Sequence, residues 1–251
     1  MIIPIFIFIM GLIFGSFLNV IIHRLKHGGK IMNSRSICPH CKKILKARDL
    51  IPVISFIILR GNCRYCSKKI SWQYPLVELV TAILFLLVFL AIGTIAWPLI
   101  VRNLFVVLVL VVVFMYDFLY YQILDKVMIP AIVVVLAFNL WLGVTWQSML
   151  IGGLVGLLFF LIQFLVSKGK WIGDGDLRFG LFMGVLLGWP VVLVGIFLSY
   201  IIGAVISIFL LLGKVKKAGS QIPLGTFLSI GTLVSLLYGE VIINWYLGLI
   251  L

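Results

Sequence analysis

The chain has 251 residues, of which 64% are hydrophobic and 11% are charged, with 20 Lys and Arg against 7 Asp and Glu. A soluble globular domain is about half apolar and about a quarter charged. This composition therefore excludes a soluble domain and indicates a multi-pass membrane protein. The net charge of +13 could suggest a nucleic-acid partner, but the basic residues are concentrated in one stretch, so we expect no nucleic acid to bind.

Most of the positive charge lies in a single polar segment, residues 23–74. Twelve of the 20 Lys and Arg fall between residues 24 and 69, outside the apolar runs. A short basic loop between membrane spans is typical of a cytoplasmic segment, and anionic membrane lipids would attract it further. We therefore interpret this charge as a topology signal and predict that residues 23–74 are cytoplasmic.

Residues 1–22 are predicted to form the first transmembrane helix. The apolar run that ends at residue 22 has about the 20 residues that a spanning helix needs. No basic region precedes it and no small-residue cleavage site follows it, so we expect it to be retained rather than removed as a signal peptide. Gly15, Ser16 and Asn19 suit close helix packing or a hydrogen bond between helices.

The segment 23–74 contains two CxxC pairs, Cys38 with Cys41 and Cys63 with Cys66, separated by 21 residues. Four thiolates at this spacing are typical of a tetrahedral structural zinc site built from two knuckles. Two disulfides are disfavoured in a segment that faces the reducing cytoplasm, and redox chemistry would need only one pair. The sequence therefore predicts zinc, with His40 as a reserve ligand.

Seven further apolar runs follow the polar segment, near residues 76–96, 99–117, 127–142, 148–166, 178–189, 190–212 and 223–247. With the first run they predict an all-α membrane protein of about eight transmembrane helices. A small cytoplasmic zinc-knuckle domain lies between helices 1 and 2 of this predicted fold.

The order of the spans predicts where two aspartates lie. If residues 23–74 are cytoplasmic, alternation places the turns at 118–126, 167–177 and 213–222 on the same side. These turns carry further basic residues, as the positive-inside rule requires; they are Lys126, Lys168, Lys170, Lys214, Lys216 and Lys217. Asp117 at the end of one span and Asp176 before another are then expected at the same membrane edge.

Carboxylates at membrane depth are energetically costly, and they indicate a functional site. Two neighbouring carboxylates share a proton, so one can act as a base while the other acts as an acid. Such a pair can activate water against a peptide bond. The glycines at 173 and 175 would let a substrate strand approach Asp176. From the residues alone, a proton or ion pathway remains an alternative use of the same two carboxylates.

A resemblance to a known family favours the peptidase interpretation. Gly173-Asp174-Gly175-Asp176 fits the GxGD motif of intramembrane aspartyl proteases. Other matching stretches run along most of the chain, and they are Gly15-Ser16-Phe17-Leu18-Asn19-Val20, both CxxC pairs, Leu59-Arg60-Gly61-Asn62-Cys63-Arg64, Tyr74-Pro75-Leu76-Val77-Glu78-Leu79, Asp117 with Asp125, and Ile222-Pro223-Leu224-Gly225. This ordered set resembles the bacterial type IV prepilin peptidases, which are also called prepilin leader peptidase/N-methyltransferases.

The resemblance implies an enzyme of the bacterial plasma (inner) membrane that cleaves the basic leader from prepilin or pseudopilin precursors on the cytoplasmic side. It implies that Asp117 and Asp176 are catalytic. It also implies N-methylation of the new N-terminus with S-adenosylmethionine, and it connects Gly61 with methyl transfer. The expected domains are residues 1–22 as the first helix, 23–74 as the zinc and methyl-transfer part, and 75–251 as the peptidase.

The match to the family pattern is incomplete. The family usually has Pro where this chain has Leu124, Lys where it has Arg178, and Phe and Pro where it has Leu224 and Thr226. None of these positions is one of the two presumed catalytic carboxyls. The interpretation nevertheless keeps two alternatives, an intramembrane-carboxylate transporter or proton channel and a non-enzymatic assembly platform.

Three further acidic residues have open roles. Asp125 could support the catalytic pair, but we interpret it as a charge in a cytoplasmic turn. Asp174 is an alternative to Asp176; the motif favours Asp176, and we expect Asp174 to cap the following helix. Glu78 could meet a cationic leader or a cofactor, or pair with a basic loop residue. Because the basic segment should repel a basic leader, we expect direct leader contacts to come from these acidic groups.

Overall fold

The computed structural model describes residues 2–28, 35–93, 96–214 and 220–250. Lys30, Lys216 and Lys217, which contribute to the predicted charge pattern, lie outside these ranges. Within them the chain is helical and has no β-strand, which confirms the predicted all-α class. The α-helices are α1 (Ile2–His27), α2 (Ile54–Ile58), α3 (Gln73–Ile92), α4 (Trp97–Tyr120), α5 (Asp125–Trp141), α6 (Trp146–Ser167), α7 (Asp174–Leu187), α8 (Val191–Leu212) and α9 (Leu224–Ile250).

Each of the eight predicted apolar runs falls on a helix. Six of these helices, α1, α3, α4, α6, α8 and α9, are long and apolar enough to cross a membrane, so the chain is a multi-pass membrane protein. The other two are shorter, with 17 residues in α5 and 14 in α7. At 1.5 Å per residue they span about 26 Å and about 21 Å, against about 30 Å of bilayer hydrocarbon.

The chain divides into two compact units, residues 1–112 and residues 113–251, and the boundary falls within α4. In the first unit, α1 packs closely on α3. A Cβ at Gly15 would lie 2.7 Å from the Cα of Glu78, so only glycine allows the two backbones to approach this far. The side-chain amide of Asn19 donates a hydrogen bond to the Tyr74 carbonyl at 3.1 Å. This bond confirms the predicted interhelical role of the small and polar residues in α1.

In the second unit, α6 and α7 pack through two GxxxG sequences, one on each helix. Gly152 and Gly156 on α6 face Gly184 and Gly180 on α7, and a Cβ at any of the four would meet backbone atoms of the partner helix. Without a hydrophobic drive between helices in lipid, such close van der Waals packing is what holds them together. The short α7 is therefore fixed along its length against α6.

The C-terminal end of α7 is also held by a polar contact. The last four carbonyl groups of a helix have no intrahelical donor. The buried amide of Asn139 on α5 donates to the carbonyl of Val185 at 2.8 Å and to that of Leu186 at 3.3 Å. Most side chains of α7 from residue 175 to residue 186 are buried, as expected for a helix that is enclosed by protein. This enclosure explains how a helix of 14 residues fits in a membrane protein.

Candidate active site and metal centre

Asp117 lies near the end of α4, against the first turn of α9. Its side chain is buried, with the residue only 5% exposed. The backbone N–H of Thr226 donates to Oδ2 of Asp117 at 3.0 Å, and the N–H of Gly225 donates to the same carboxyl. These amides belong to the free N-terminal end of a helix, where the backbone favours a negative charge. The start of α9 therefore binds and orients Asp117.

Asp176 lies in the first turn of α7 and is 8% exposed. Its Oδ2 accepts the backbone N–H of Gly173 at 2.9 Å, and its own N–H donates to the Gly173 carbonyl at 3.2 Å. The first of these bonds is one half of a capping box; the other half is missing because glycine has no side chain to accept the Asp176 N–H. The capping role expected for Asp174 is thus wrong, because Gly173 is the N-cap residue and Asp176, three positions on, is the residue that can reach back to it.

The loop residue Ile123 lies between the start of α7, which carries Asp176, and the start of α9, which binds Asp117. A Cβ at Gly175 would lie 2.8 Å from Cβ of Ile123, and a Cβ at Gly225 would lie 2.7 Å from Cδ1 of Ile123. Glycine at both positions lets the starts of α7 and α9 close around this one side chain. As a result, Asp117 and Asp176 are near enough to interact electrostatically. The structure brings the two sequence-predicted aspartates together within one unit.

Asp125 and Asp174 are placed differently from this pair. Both are bound to Arg178, whose Nη1 lies 2.7 Å from Asp125 and 3.0 Å from Asp174. Their side chains are 49% and 75% exposed, and exposed ion pairs of this kind contribute little stability. The structure confirms Asp125 as a surface charge, but Asp125 is the first residue of α5 and does not lie in a turn.

The two CxxC segments of the first unit fold in the same way. In the first, the N–H of Cys38 donates to the Lys43 carbonyl at 3.0 Å, and Lys42 has a positive φ of 58°. In the second, the N–H of Cys63 donates to the Lys68 carbonyl at 2.8 Å, and Ser67 has a positive φ of 56°. The predicted pair of knuckles is therefore present as a repeated backbone motif.

The knuckles bring all four sulfur atoms together. Cys38, Cys41, Cys63 and Cys66 are free thiols whose Sγ atoms lie within 4.8 Å of one another. The Sγ atoms of Cys38 and Cys66, one from each knuckle, are 3.9 Å apart. A tetrahedral zinc with Zn–S bonds of about 2.3 Å needs sulfurs about 3.8 Å apart, so the donor set fits a metal. His40 is exposed and is not part of this cluster.

Asp49 lies between the two knuckles in the chain, and its side chain binds residues of the second knuckle. Its carboxylate accepts hydrogen bonds from Nε of Arg64 at 2.7 Å, from the Tyr65 hydroxyl at 2.9 Å and from the Lys46 backbone N–H at 3.2 Å. Partial burial raises the pKa of Asp49, but these hydrogen bonds outweigh it and hold the pKa below its usual value. Sequence reasoning missed this residue, although it is the one acidic group in a strongly basic segment.

A cavity of about 790 Å³ lies in the first unit between the knuckle segment and the adjoining ends of α1 and α3. Asn19 and Glu78 are part of its lining. Glu78 is buried, and its Oε2 accepts the backbone N–H of Val53 at 2.7 Å, with a further hydrogen bond from Ser16. Glu78 forms no ion pair with a described residue. Of the three roles left open for it, pairing with a basic loop residue therefore has no support within the described ranges.

Gly61 supports one wall of this cavity. Its φ is +70°, a left-handed conformation that favours glycine, and a Cβ there would lie 3.2 Å from Cζ of Phe56. Phe56 lines the cavity and packs against Trp72 in a tilted arrangement, with ring centroids 4.8 Å apart. A side chain at Gly61 would therefore strain the backbone and displace the Phe56 ring.

Known proteins resemble the chain over nearly its full length. Residues 9–92 match the Bacterial Peptidase A24 N-terminal domain, and residues 104–208 match the Type IV leader peptidase family. The prepilin leader peptidase/N-methyltransferase of Aeromonas hydrophila is 32% identical, covering 96% of this chain and 92% of the relative. That of Bacillus subtilis is 31% identical, with 98% of both chains covered.

A third relative of the same name, from Pseudomonas aeruginosa, is 27% identical over 95% of this chain and 91% of its own length. No solved structure matches the chain. The two family matches together extend over both units, and the relatives are matched almost end to end. The chain belongs to the type IV leader peptidase family.

Proposed function

We propose that this chain is a membrane-embedded aspartyl endopeptidase that removes the basic leader peptide from type IV prepilin or pseudopilin precursors. The observation that carries the proposal is that two buried carboxyls, Asp117 and Asp176, lie near enough to interact electrostatically in a member of the leader peptidase family. In this proposal residues 75–251 form the peptidase domain.

The two carboxyls divide the chemistry of hydrolysis between them. Asp117, which accepts two amide N–H groups, is the ionised base, and Asp176 beside it is the protonated acid, because two adjacent carboxyls do not both ionise easily. Asp117 takes a proton from water as the water oxygen attacks the peptide carbonyl carbon, and Asp176 gives its proton to the carbonyl oxygen. Asp117 then protonates the leaving amine as the C–N bond breaks, and the new carboxyl group returns a proton to Asp176.

The positions of these residues favour a peptidase over a transporter or channel. A conduction pathway needs polar groups through the middle of the membrane, whereas Asp117 lies in the last turn of α4 and Asp176 in the first turn of α7. From the basic charge of residues 23–74 and the positive-inside rule, we assign the active site to the cytoplasmic face of the bacterial plasma membrane. An assembly platform would depend on the cysteines and would be indifferent to these aspartates.

We also propose that the chain methylates the new N-terminus with S-adenosylmethionine. In this proposal residues 23–74, with a structural zinc ion on Cys38, Cys41, Cys63 and Cys66, carry this activity together with the adjoining ends of α1 and α3. The supporting observations are the cavity beside the knuckles and the N-methyltransferase names of the relatives. S-adenosylmethionine would supply the methyl group. Zinc would hold the two knuckles together and so form the cavity wall.

The peptidase proposal is tested with purified protein in detergent and a prepilin peptide, with the products followed by mass spectrometry. Asp117→Asn and Asp176→Asn should each lower the cleavage rate by about 10²- to 10⁴-fold, the usual contribution of an acid or base. Asp174→Asn is the matched control, since that carboxylate is 75% exposed and binds Arg178; it should keep most of the activity. Substantial cleavage by both Asp117→Asn and Asp176→Asn would rule out the proposed pair.

A further inference from the structure

The lining of the cavity in the first unit includes a buried side chain with a hydrogen-bond acceptor that the fold does not use. Asn19 is 1% exposed and lines the cavity. Its Nδ2 donates to the carbonyls of Gly15 at 3.4 Å and Tyr74 at 3.1 Å. Because both partners are acceptors, the nitrogen must face them, and this fixes the orientation of the amide. Oδ1 is then left without a partner among the described residues.

A carboxylate belongs to the same part of the cavity lining. Glu78 is 7% exposed, and it follows Tyr74, the partner of Asn19, by one turn of α3. Ser16, one turn before Asn19 on α1, donates to Glu78. Residues three and four apart on a helix share a face, so Asn19 and Glu78 present their acceptors on adjoining faces of α1 and α3. The structure supplies no cation for Glu78 in its described part.

A buried carboxylate and an unused amide oxygen fit a primary ammonium group, which has three donors and a positive charge. The other charged groups of the lining are mainly basic, and they include Arg35, Lys68 and Lys69. A ligand that is only cationic would be repelled by these residues. A ligand that carries a carboxylate next to its ammonium group satisfies both sets of side chains.

We infer that Asn19 and Glu78 bind the ammonium group of a free α-amino acid moiety, and that in this protein the ligand is the methionine portion of S-adenosylmethionine. The inference rests on the methyl-transfer part of the proposed function and names the residues that would bind the cofactor. The new N-terminus of a cleaved substrate also offers an ammonium group, but it has no adjacent carboxylate to meet the basic side chains.

Two ligands separate this inference from a general loss of the cavity. S-adenosylhomocysteine keeps the amino acid moiety and 5′-methylthioadenosine lacks it. With purified full-length protein and isothermal titration calorimetry, Asn19→Leu should weaken S-adenosylhomocysteine binding by about tenfold or more, the scale of a lost charge-assisted hydrogen bond. The same variant should change 5′-methylthioadenosine binding by less than about twofold.

Two further variants keep the test decisive if Asn19→Leu does not fold. Glu78→Gln keeps an oxygen for the Val53 N–H and removes the charge. It should weaken the binding of S-adenosylhomocysteine but not that of 5′-methylthioadenosine, as Asn19→Leu does. Thr81→Val is the matched control on α3, since this buried hydroxyl donates within its own helix, to the Val77 carbonyl at 2.7 Å. It should leave the binding of both ligands unchanged.

The outcomes distinguish the inference from the proposed function. The inference is overturned if Asn19→Leu and Glu78→Gln weaken the binding of both ligands equally, or weaken the binding of neither. Methylation by the wild type would still support the proposed methyl transfer in that case. If the same variants raise only the KM of methyl transfer for the cleaved peptide, Asn19 and Glu78 bind the substrate N-terminus and the inference is overturned. A wild-type protein that cleaves prepilin but binds neither ligand would overturn the inference and the methyl-transfer proposal together, and would leave the peptidase proposal intact.

Discussion

Adding one methyl group at Gly225 should uncouple Asp117 from the start of α9. The new Cβ would lie 2.7 Å from Cδ1 of Ile123 and 3.0 Å from Oδ2 of Asp117. Carbon atoms in contact normally stay about 3.5–4.0 Å apart, so the neighbours must move by about 1 Å. Such overpacking lowers the free energy of unfolding by about 1–3 kcal/mol.

The same displacement would disturb the hydrogen bond from the Thr226 N–H to Asp117, which is 3.0 Å long. A misplacement of about 1 Å near reacting groups lowers a rate by about 10²-fold. We therefore expect Gly225→Ala to lower kcat/KM for prepilin cleavage by about 10- to 100-fold. The assay is peptide cleavage at several substrate concentrations, with the thermal midpoint of each variant measured in parallel.

Gly248→Ala is the matched control for this change, because Gly248 is also on α9 and a Cβ there has no neighbour within 4 Å. It should cleave like the wild type. Ile123→Val removes the closest contact atom, so the double variant Gly225→Ala/Ile123→Val should regain part of the lost activity. If Gly225→Ala cleaves as fast as Gly248→Ala, the packing around Asp117 does not limit catalysis and the reasoning fails.

Three further predictions concern the first unit. Removing zinc with a chelator, or Cys63→Ser, should unfold the knuckle segment and abolish methyl transfer. Metal content, limited proteolysis and transfer from labelled S-adenosylmethionine measure these effects. A metal-free protein that stays folded and still methylates would contradict the structural role of the metal. Gly61→Ala places a side chain at φ +70° and against Phe56, so methyl transfer should fall much further than cleavage, and equal losses in the two assays would argue against the cavity. Because the folded-state pKa of Asp49 is lowered, its carboxylate stabilises the fold above the unfolded pKa of about 3.9 and loses this effect as the pH falls through the folded value. The thermal midpoint of Asp49→Asn should therefore lie below that of the wild type at pH 7, and a gap that does not narrow in acid would contradict this assignment.

The two aspartates could be predicted from sequence because a carboxyl at the end of an apolar run is rare and costly. What the sequence could not reveal is the third segment of the site. Thr226 lies 109 residues after Asp117, and neither hydropathy nor spacing indicates that its backbone N–H binds that carboxyl. The Ile222-Pro223-Leu224-Gly225 stretch resembled the family without suggesting a role. Its role depends on Gly225 meeting Ile123 and Asp117, which is a property of tertiary packing.

Other differences between prediction and structure have local causes. Hydropathy alone predicts the runs at 127–142 and 178–189, whereas α5 and α7 begin earlier, at Asp125 and Asp174. Acidic residues are favourable in the first turn of a helix, so a boundary placed at the first apolar residue comes too late. The same shift explains the error over Asp174, which is the first residue of α7 rather than its cap.

The shortness of α7 has a consequence for how water reaches a peptide bond in a membrane. Its 14 residues leave about 9 Å of a 30 Å hydrocarbon layer uncovered, a hydrophobic mismatch within the protein rather than at its lipid boundary. A lipid-facing helix would respond to such a mismatch by thinning the bilayer around it. Because α7 is enclosed, the non-helical backbone at its ends can instead lie at membrane depth beside protein or water. The chain can thus carry a hydrolytic site below the headgroup level and still leave the surrounding lipid undisturbed.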